Sequence, residues 1–148
     1  MIFYTLQKNN VFNRHSIVTK IGNFVIFVLR INKNINNMKK IIASPNAPKA
    51  VGPYSQAVEN NGTIYVSGQL PIDASTGKMA EGIEEQTRQA LTNIGHILHE
   101  AGYDYADVAK VTVLLDDIGD FAAMNGVYAT FFTEQMPARV CYEVAKLP

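Results

Sequence analysis

From residue 38 onward the apolar positions change period at regular intervals. Lys40-Ile41-Ile42-Ala43 reads as a short strand, followed by a loop with prolines at 45, 48 and 53 and with Gly52. Two runs, Ser55–Glu59 and Thr63–Ser67, flank Asn61-Gly62. Asn-Gly between alternating runs predicts a tight hairpin, because both residues tolerate positive φ. Gly68-Gln69-Leu70-Pro71 ends the second arm, and residues 72–80 read as a loop. Ile83, Thr87, Ala90, Leu91, Ile94, Ile97, Leu98 and Ala101 recur at helical spacing, and Gly102 supplies the stop, so a helix is predicted over 83–101. Gly95 inside it costs about 1 kcal/mol relative to alanine, which points to either tight packing or simple tolerance. Val108–Leu115 alternates on Val111, Val113 and Leu115 as a strand does. Asp116-Asp117 then leads into a second helix, about Ile118 to Phe132, with acids at its positive end. Its apolar stripe is Ile118, Phe121, Met124, Tyr128, Phe131 and Phe132, and Asn125 lies on the same stripe. Pro137 opens a last strand, where a missing N–H does little harm. Ala138, Val140, Tyr142 and Val144 share one of its faces. The other carries Arg139, Cys141 and Glu143, groups a core would not choose.

The order strand, hairpin, helix, strand, helix, strand predicts an α+β fold in two layers, a mixed sheet with both helices on one face. Residues 38–148 number 111, and two helices cannot cover both faces of four or five strands. The uncovered face carries Val, Tyr and Leu side chains. A self-associating domain is therefore expected, since such a face is buried somewhere.

Residues 1–37 are of another character, with eight asparagines, five Lys/Arg and no acid. The longest apolar run, Phe24–Leu29, is far below the roughly 20 residues of a membrane span. Three readings stand: an organelle-targeting leader, basic and acid-poor but short of Arg and Ser; a signal-type segment without a small-residue cleavage site; or upstream sequence ahead of a true start at Met38-Lys39-Lys40-Ile41. We take the third, and expect a leader of doubtful status over 1–37 and one domain over 38–148.

The net charge of zero conceals an acidic body: residues 38–148 hold eight basic against thirteen acidic residues. Such a body is a poor partner for nucleic acid, whose binding rests on basic contacts to phosphate. The single cysteine excludes an internal disulfide and fits a reducing compartment. The expected location is cytoplasmic, or an organelle if the leader is real. The histidines stand at 15, 96 and 99 with no second thiol, so no metal-ligand spacing exists. His96 and His99 fall on the polar side of the first helix and read as a solvated pair.

Arg139 is one of two arginines after residue 30. A guanidinium fixed on a strand is a permanently charged fork matched to a carboxylate or phosphate. The plainer reading is a weak surface pair with Glu143. Cys141 is small and leaves room beside that fork. As a nucleophile it has no histidine near it in the pattern, and an inert half-buried thiol is the simpler reading. Gly52-Pro53 sets the exit angle of Tyr54, which either lines a pocket or packs as turn tyrosines do. Ser67-Gly68 at a strand end admits close approach to a backbone N–H, or merely ends the strand. Asn125 must satisfy its amide, through backbone, a neighbouring subunit or a ligand.

Four segments, Gly52-Pro53-Tyr54-Ser55-Gln56-Ala57, Val66-Ser67-Gly68-Gln69-Leu70-Pro71, Phe121–Tyr128 and Pro137-Ala138-Arg139-Val140-Cys141, resemble in order and spacing the RidA/YjgF reactive-intermediate deaminases. The likeness runs from about Lys39 to Pro148. It implies a chorismate-mutase-like α+β fold and a homotrimer with clefts between subunits. It also implies hydrolysis of 2-aminoacrylate or 2-iminobutyrate without metal or organic cofactor. In such a protein Arg139 grips the substrate carboxylate, Tyr54 lines the cleft from the neighbouring subunit, and Ser67, Gly68, Asn125 and Cys141 contact the ligand or hold the pocket. The chemistry needs orientation, an anchor and proton management. Family members continue past the counterpart of Lys146-Leu147-Pro148 into a further strand, whose glutamate is held to activate water. The sequence stops before it; if Pro148 is the true end, that carboxylate is absent and a bare sheet edge is expected. Two rivals remain: a non-catalytic module sensing 2-keto acids, and a translation-inhibiting ribonuclease. The acidic body and the lack of a histidine acid/base pair argue against the latter.

Overall fold

The computed structural model describes residues 2–7, 17–21, 24–28 and 39–147. The elements run β1 (Ile2–Gln7), β2 (Ile17–Ile21), β3 (Phe24–Val28), β4 (Lys40–Ile42), β5 (Ala57–Asn60), β6 (Thr63–Gln69), α1 (Ile83–Glu100), β7 (Lys110–Leu115), α2 (Phe121–Phe131) and β8 (Ala138–Glu143). They form two compact units: residues 9–38, and residues 1–8 together with 39–148. Within the smaller unit, β2 and β3 pair antiparallel, Ile17 opposite Val28 and Ile21 opposite Phe24.

The larger unit is a six-stranded sheet in the order β4-β5-β6-β1-β7-β8. Every pairing is antiparallel except β7 with β8, whose parallel register needs the crossover that α2 supplies. The β5–β6 hairpin turns on Asn61 (φ 54°) and Gly62 (φ 71°), the two left-handed residues its sequence promised. α1 stops at Gly102, φ 79°. The core lies between the sheet and both helices: Ile42, Ala57, Ile64, Val66, Val111, Val113 and Leu115 meet Leu91, Ile94, Ile97 and Leu98 of α1 and Met124, Tyr128 and Phe132 of α2 or just after it. Among the described residues no helix is long and apolar enough to cross a membrane.

Among the described residues no helix lies on the opposite face. Register sets Ile41 beside Val58 and Val58 beside Tyr65. On the far side it sets Thr112 beside Val140 and Leu114 beside Tyr142. Ile41, Val140 and Tyr142 are exposed. The apolar uncovered face expected from the sequence is therefore present.

Three features depart from expectation. Residues 1–37 were set apart from the fold, yet β1 lies in mid-sheet, Tyr4 opposite Val66 on one side and Val111 on the other. Ile-Phe-Tyr-Thr-Leu-Gln is rich in strand-forming residues, a local signal hidden when composition is averaged over 37 positions. The edges of the sheet are β4 and β8. Second, the faces of β8 are inverted. Arg139 sits beside Val111 and Cys141 beside Val113, on the side the helices cover, while Val140 and Tyr142 look outward. Third, α2 begins at Phe121 after a single 3-10 turn, Ile118–Asp120. Ile118 and Phe121 are exposed, and Val127 joins Met124, Tyr128 and Phe132 in the buried set.

Gly95 is explained by packing. A Cβ there would overlap the Tyr105 hydroxyl, which donates to the Leu91 carbonyl at 2.8 Å. Tyr105 is also held edge-on by Phe131 and Phe132. Gly95→Ala should therefore destabilise by about 1–3 kcal/mol through overpacking, despite the ~1 kcal/mol helix-propensity gain. Urea unfolding checks this; a stabilised variant would show that the Tyr105 ring yields freely.

Candidate active site

The residues singled out in the sequence fall into two clusters. The first gathers around Arg139. Its guanidinium Nη1 donates to Asn125 Oδ1 at 2.6 Å. The guanidinium carbon stands 4.5 Å from the centre of the Tyr128 ring and 5.6 Å from that of Phe121. Arg139 is half-buried, and among the described residues no carboxylate lies within ion-pair distance of it. Glu143, the surface partner weighed for it, instead accepts from the Ile118 N–H at 2.9 Å and ties β8 to the start of the second helical region. A cation held only by neutral groups keeps its remaining donors for an anion.

Cys141, two residues along the same face of β8, packs against the core. Burial pushes its thiol up, with Arg139 pulling it partly back. A raised thiol stays protonated near neutral pH and is no nucleophile.

The second cluster is built on the end of β6 and the loop before β5. Tyr54 is half-exposed, and its hydroxyl accepts from the Val51 N–H at 3.3 Å. With Gln56, Gly68 and Leu70 it lines a cavity of about 250 Å³. Ser67 donates its hydroxyl to the Ser55 carbonyl at 2.7 Å, and its N–H reaches the Gln56 carbonyl. Ser67 thus fastens the Tyr54 loop to β6. Asp73, on the rim of the same cavity, is held below the usual carboxylate range by the Ser75 hydroxyl and N–H.

Sequence reasoning missed two buried amides that fix this geometry. Gln56 Oε1 accepts from the Ser44 N–H at 2.6 Å, and its Nε2 reaches the carbonyls of Ser44, Ala47 and Pro48. Asn93, fully buried in α1, donates to the carbonyls of Leu70 and Ile72 at 3.0 and 2.9 Å. A polar residue at a core-facing helical position, between Ala90 and Ile97, was the available signal for Asn93.

The clusters do not meet within one chain. Gly68 is on β6 and Arg139 on β8, with β1 and β7 between them. Three steps of about 4.8 Å put them roughly 14 Å apart, too far for one four-carbon acid to touch both.

The chain belongs to the YjgF/RidA family: the profile described as endoribonuclease L-PSP matches residues 44–148. It is 54% identical over 112 residues to the RutC family protein PH0854 of Pyrococcus horikoshii, covering 75% of this chain and 89% of that one. It is 52% identical over 112 residues to the 2-iminobutanoate/2-iminopropanoate deaminase of Capra hircus, covering 75% and 82%. The crystal structure of E. coli TdcF with bound serine matches with a TM-score of 0.71 at 40% identity, over 74% of this chain and 88% of that one. The mixed sheet with two helices is the fold these proteins share.

Proposed function

We propose that two copies of the chain together bind a small 2-imino or 2-keto acid, and hydrolyse 2-aminoacrylate- or 2-iminobutyrate-type enamines and imines to the 2-keto acid and ammonia. The observation that carries this is the half-buried Arg139 guanidinium, which among the described residues has no carboxylate partner. A planar fork in that state recognises a carboxylate bidentately. The names of the deaminase relatives and the serine bound to TdcF, itself a small amino acid, support the substrate class. The separation of the clusters supports a cleft in which Tyr54, Ser67 and Gly68 of one copy face Arg139, Asn125 and Cys141 of another. The apolar sheet face is the surface through which a homotrimer would form.

The reaction asks little of the protein. Water adds to the imine carbon, the C=N bond becomes C=O, and nitrogen leaves as ammonia after taking up protons. Arg139 holds the acid end still, and the backbone beside Gly68 and Cys141 limits the orientations of the reacting carbon.

One observation favours a second reading, binding without turnover. Among the described titratable side chains of the two clusters, Arg139, Cys141, Tyr54 and Tyr128 would face the acid; the one carboxylate, Asp73, stands on the cavity rim already bonded by Ser75, and there is no imidazole. Calorimetry with 2-ketobutyrate, paired with ammonia release from freshly generated 2-iminobutyrate, separates the two. Saturable binding with release above the solvent rate is expected. Binding alone identifies a sensor, and no binding overturns the proposal. Breakdown of RNA by a purified sample, lost in Arg139→Ala, would restore the nuclease that the family's description suggests.

A further inference from the structure

We propose that Tyr128 is the positioning residue for Arg139: its ring face sets the plane of the guanidinium so that the edge not used by Asn125 is presented to a ligand carboxylate. This rests on reading Arg139 as the carboxylate anchor.

The one hydrogen bond Arg139 makes among the described residues, from Nη1 to Asn125, fixes one corner of the fork and leaves rotation about that corner free. A ring 4.5 Å beneath the central carbon removes that freedom, because a guanidinium is held over an aromatic face by the ring's quadrupole. Phe121 is a weaker constraint at 5.6 Å, and it is more than a third exposed.

The platform is itself immobile. Tyr128 is 8% exposed and stacks on Phe132, centroids 4.5 Å apart and planes 27° apart. Phe132, 2% exposed, is met edge-on by Tyr105, and the Tyr105 hydroxyl is tied to α1 through Leu91. A column of three rings therefore runs from α1 to the cation.

The Tyr128 hydroxyl is buried and has no hydrogen-bond partner among the described residues. Burial pushes the phenol up to about 12, with Arg139 pulling it partly back, so it remains neutral. An unpartnered buried hydroxyl carries a desolvation cost with no hydrogen bond to offset it, which leaves the ring face as the part that acts. Phenylalanine should serve equally; an aliphatic side chain should not.

The test compares Tyr128→Phe, Tyr128→Leu and Tyr128→Met in the full chain, with methionine as the volume-filling alternative should leucine not fold. The first readout needs no ligand: the Arg139 Nε–H resonance should be displaced by the ring current in the parent and in Tyr128→Phe, and return toward a free arginine value in the aliphatic variants. The second is affinity for 2-ketobutyrate. It should weaken about tenfold in the aliphatic variants and by less than about twofold in Tyr128→Phe. In turnover the loss should appear in KM with kcat kept, as for an interaction shared by ground and transition states. Aliphatic variants with parental affinity, or a Tyr128→Phe variant as weak as they are, would overturn the proposal. Retained binding in Arg139→Ala would instead remove the anchor reading while leaving the resonance test of the ring contact to stand by itself.

Discussion

Arg139→Ala should lose 2-ketobutyrate binding by more than about 100-fold, and with it any ammonia release, while its melting temperature stays within a few degrees of the parent. The loss follows from removing two charge-assisted hydrogen bonds to a carboxylate, together worth about 3 kcal/mol or more. The near-neutral effect on stability follows from what surrounds the side chain. Among the described residues Arg139 makes one hydrogen bond, to Asn125, and contacts two rings. Against these stands the cost of holding a half-buried charge with no counter-charge. Activity lost without stability is the signature of a residue kept for a ligand. Arg139→Lys should recover only a fraction of the affinity, because an ammonium keeps the charge but not the planar fork. Calorimetry and thermal melts on the three proteins decide the matter; a Kd within threefold of the parent in the alanine variant would sink the site.

The second large effect concerns the other end of the chain. A protein beginning at Met38 should unfold at a markedly lower temperature than the 148-residue chain, or lack a cooperative transition. β6 and β7 do not pair with each other; each pairs with β1. Removing β1 leaves unpaired backbone groups along both strands in mid-sheet, where each uncompensated group costs about 1–3 kcal/mol unless water reaches it. Against a total stability of about 5–15 kcal/mol, that is severe. Tyr4→Pro is the smaller version of the same change, since proline in a central strand deletes a ladder donor. Hydrogen exchange should then accelerate along Thr63–Gln69 and Lys110–Leu115 together. A Met38 protein with an unchanged melting temperature would show that the sheet closes without β1.

The sequence disclosed what is set locally. Asn61-Gly62 named its own turn, and the spacing from Ile83 to Ala101 named α1, because backbone preference and periodicity act over a few residues. Alternation in β8 exposed two faces without revealing which one the helices cover. Val140 and Tyr142 are apolar yet turned away from them, while Arg139 and Cys141 face inward, a choice settled by pairing with β7. Arg139 and Asn125 were both visible as candidates, but their contact depends on how α2 lies over β8. The part of Tyr128 was hidden for the same reason: on the helix it reads as one more stripe residue. Gln56 and Asn93 looked like polar interruptions until the carbonyls they bind were placed. β1 was lost to the character of its neighbours.

The place of β1 also sets an order of events. Ile2–Gln7 is synthesised before either strand it joins, and its partners follow more than fifty and more than a hundred residues later. Until Lys110–Leu115 has emerged, this segment has at most half of its hydrogen-bonding partners, and the nascent chain carries it unfinished while the intervening residues are made. A strand made early thus waits for a partner made much later, which makes that interval the one in which a chaperone, or a stray β-edge from another molecule, has the most to bind.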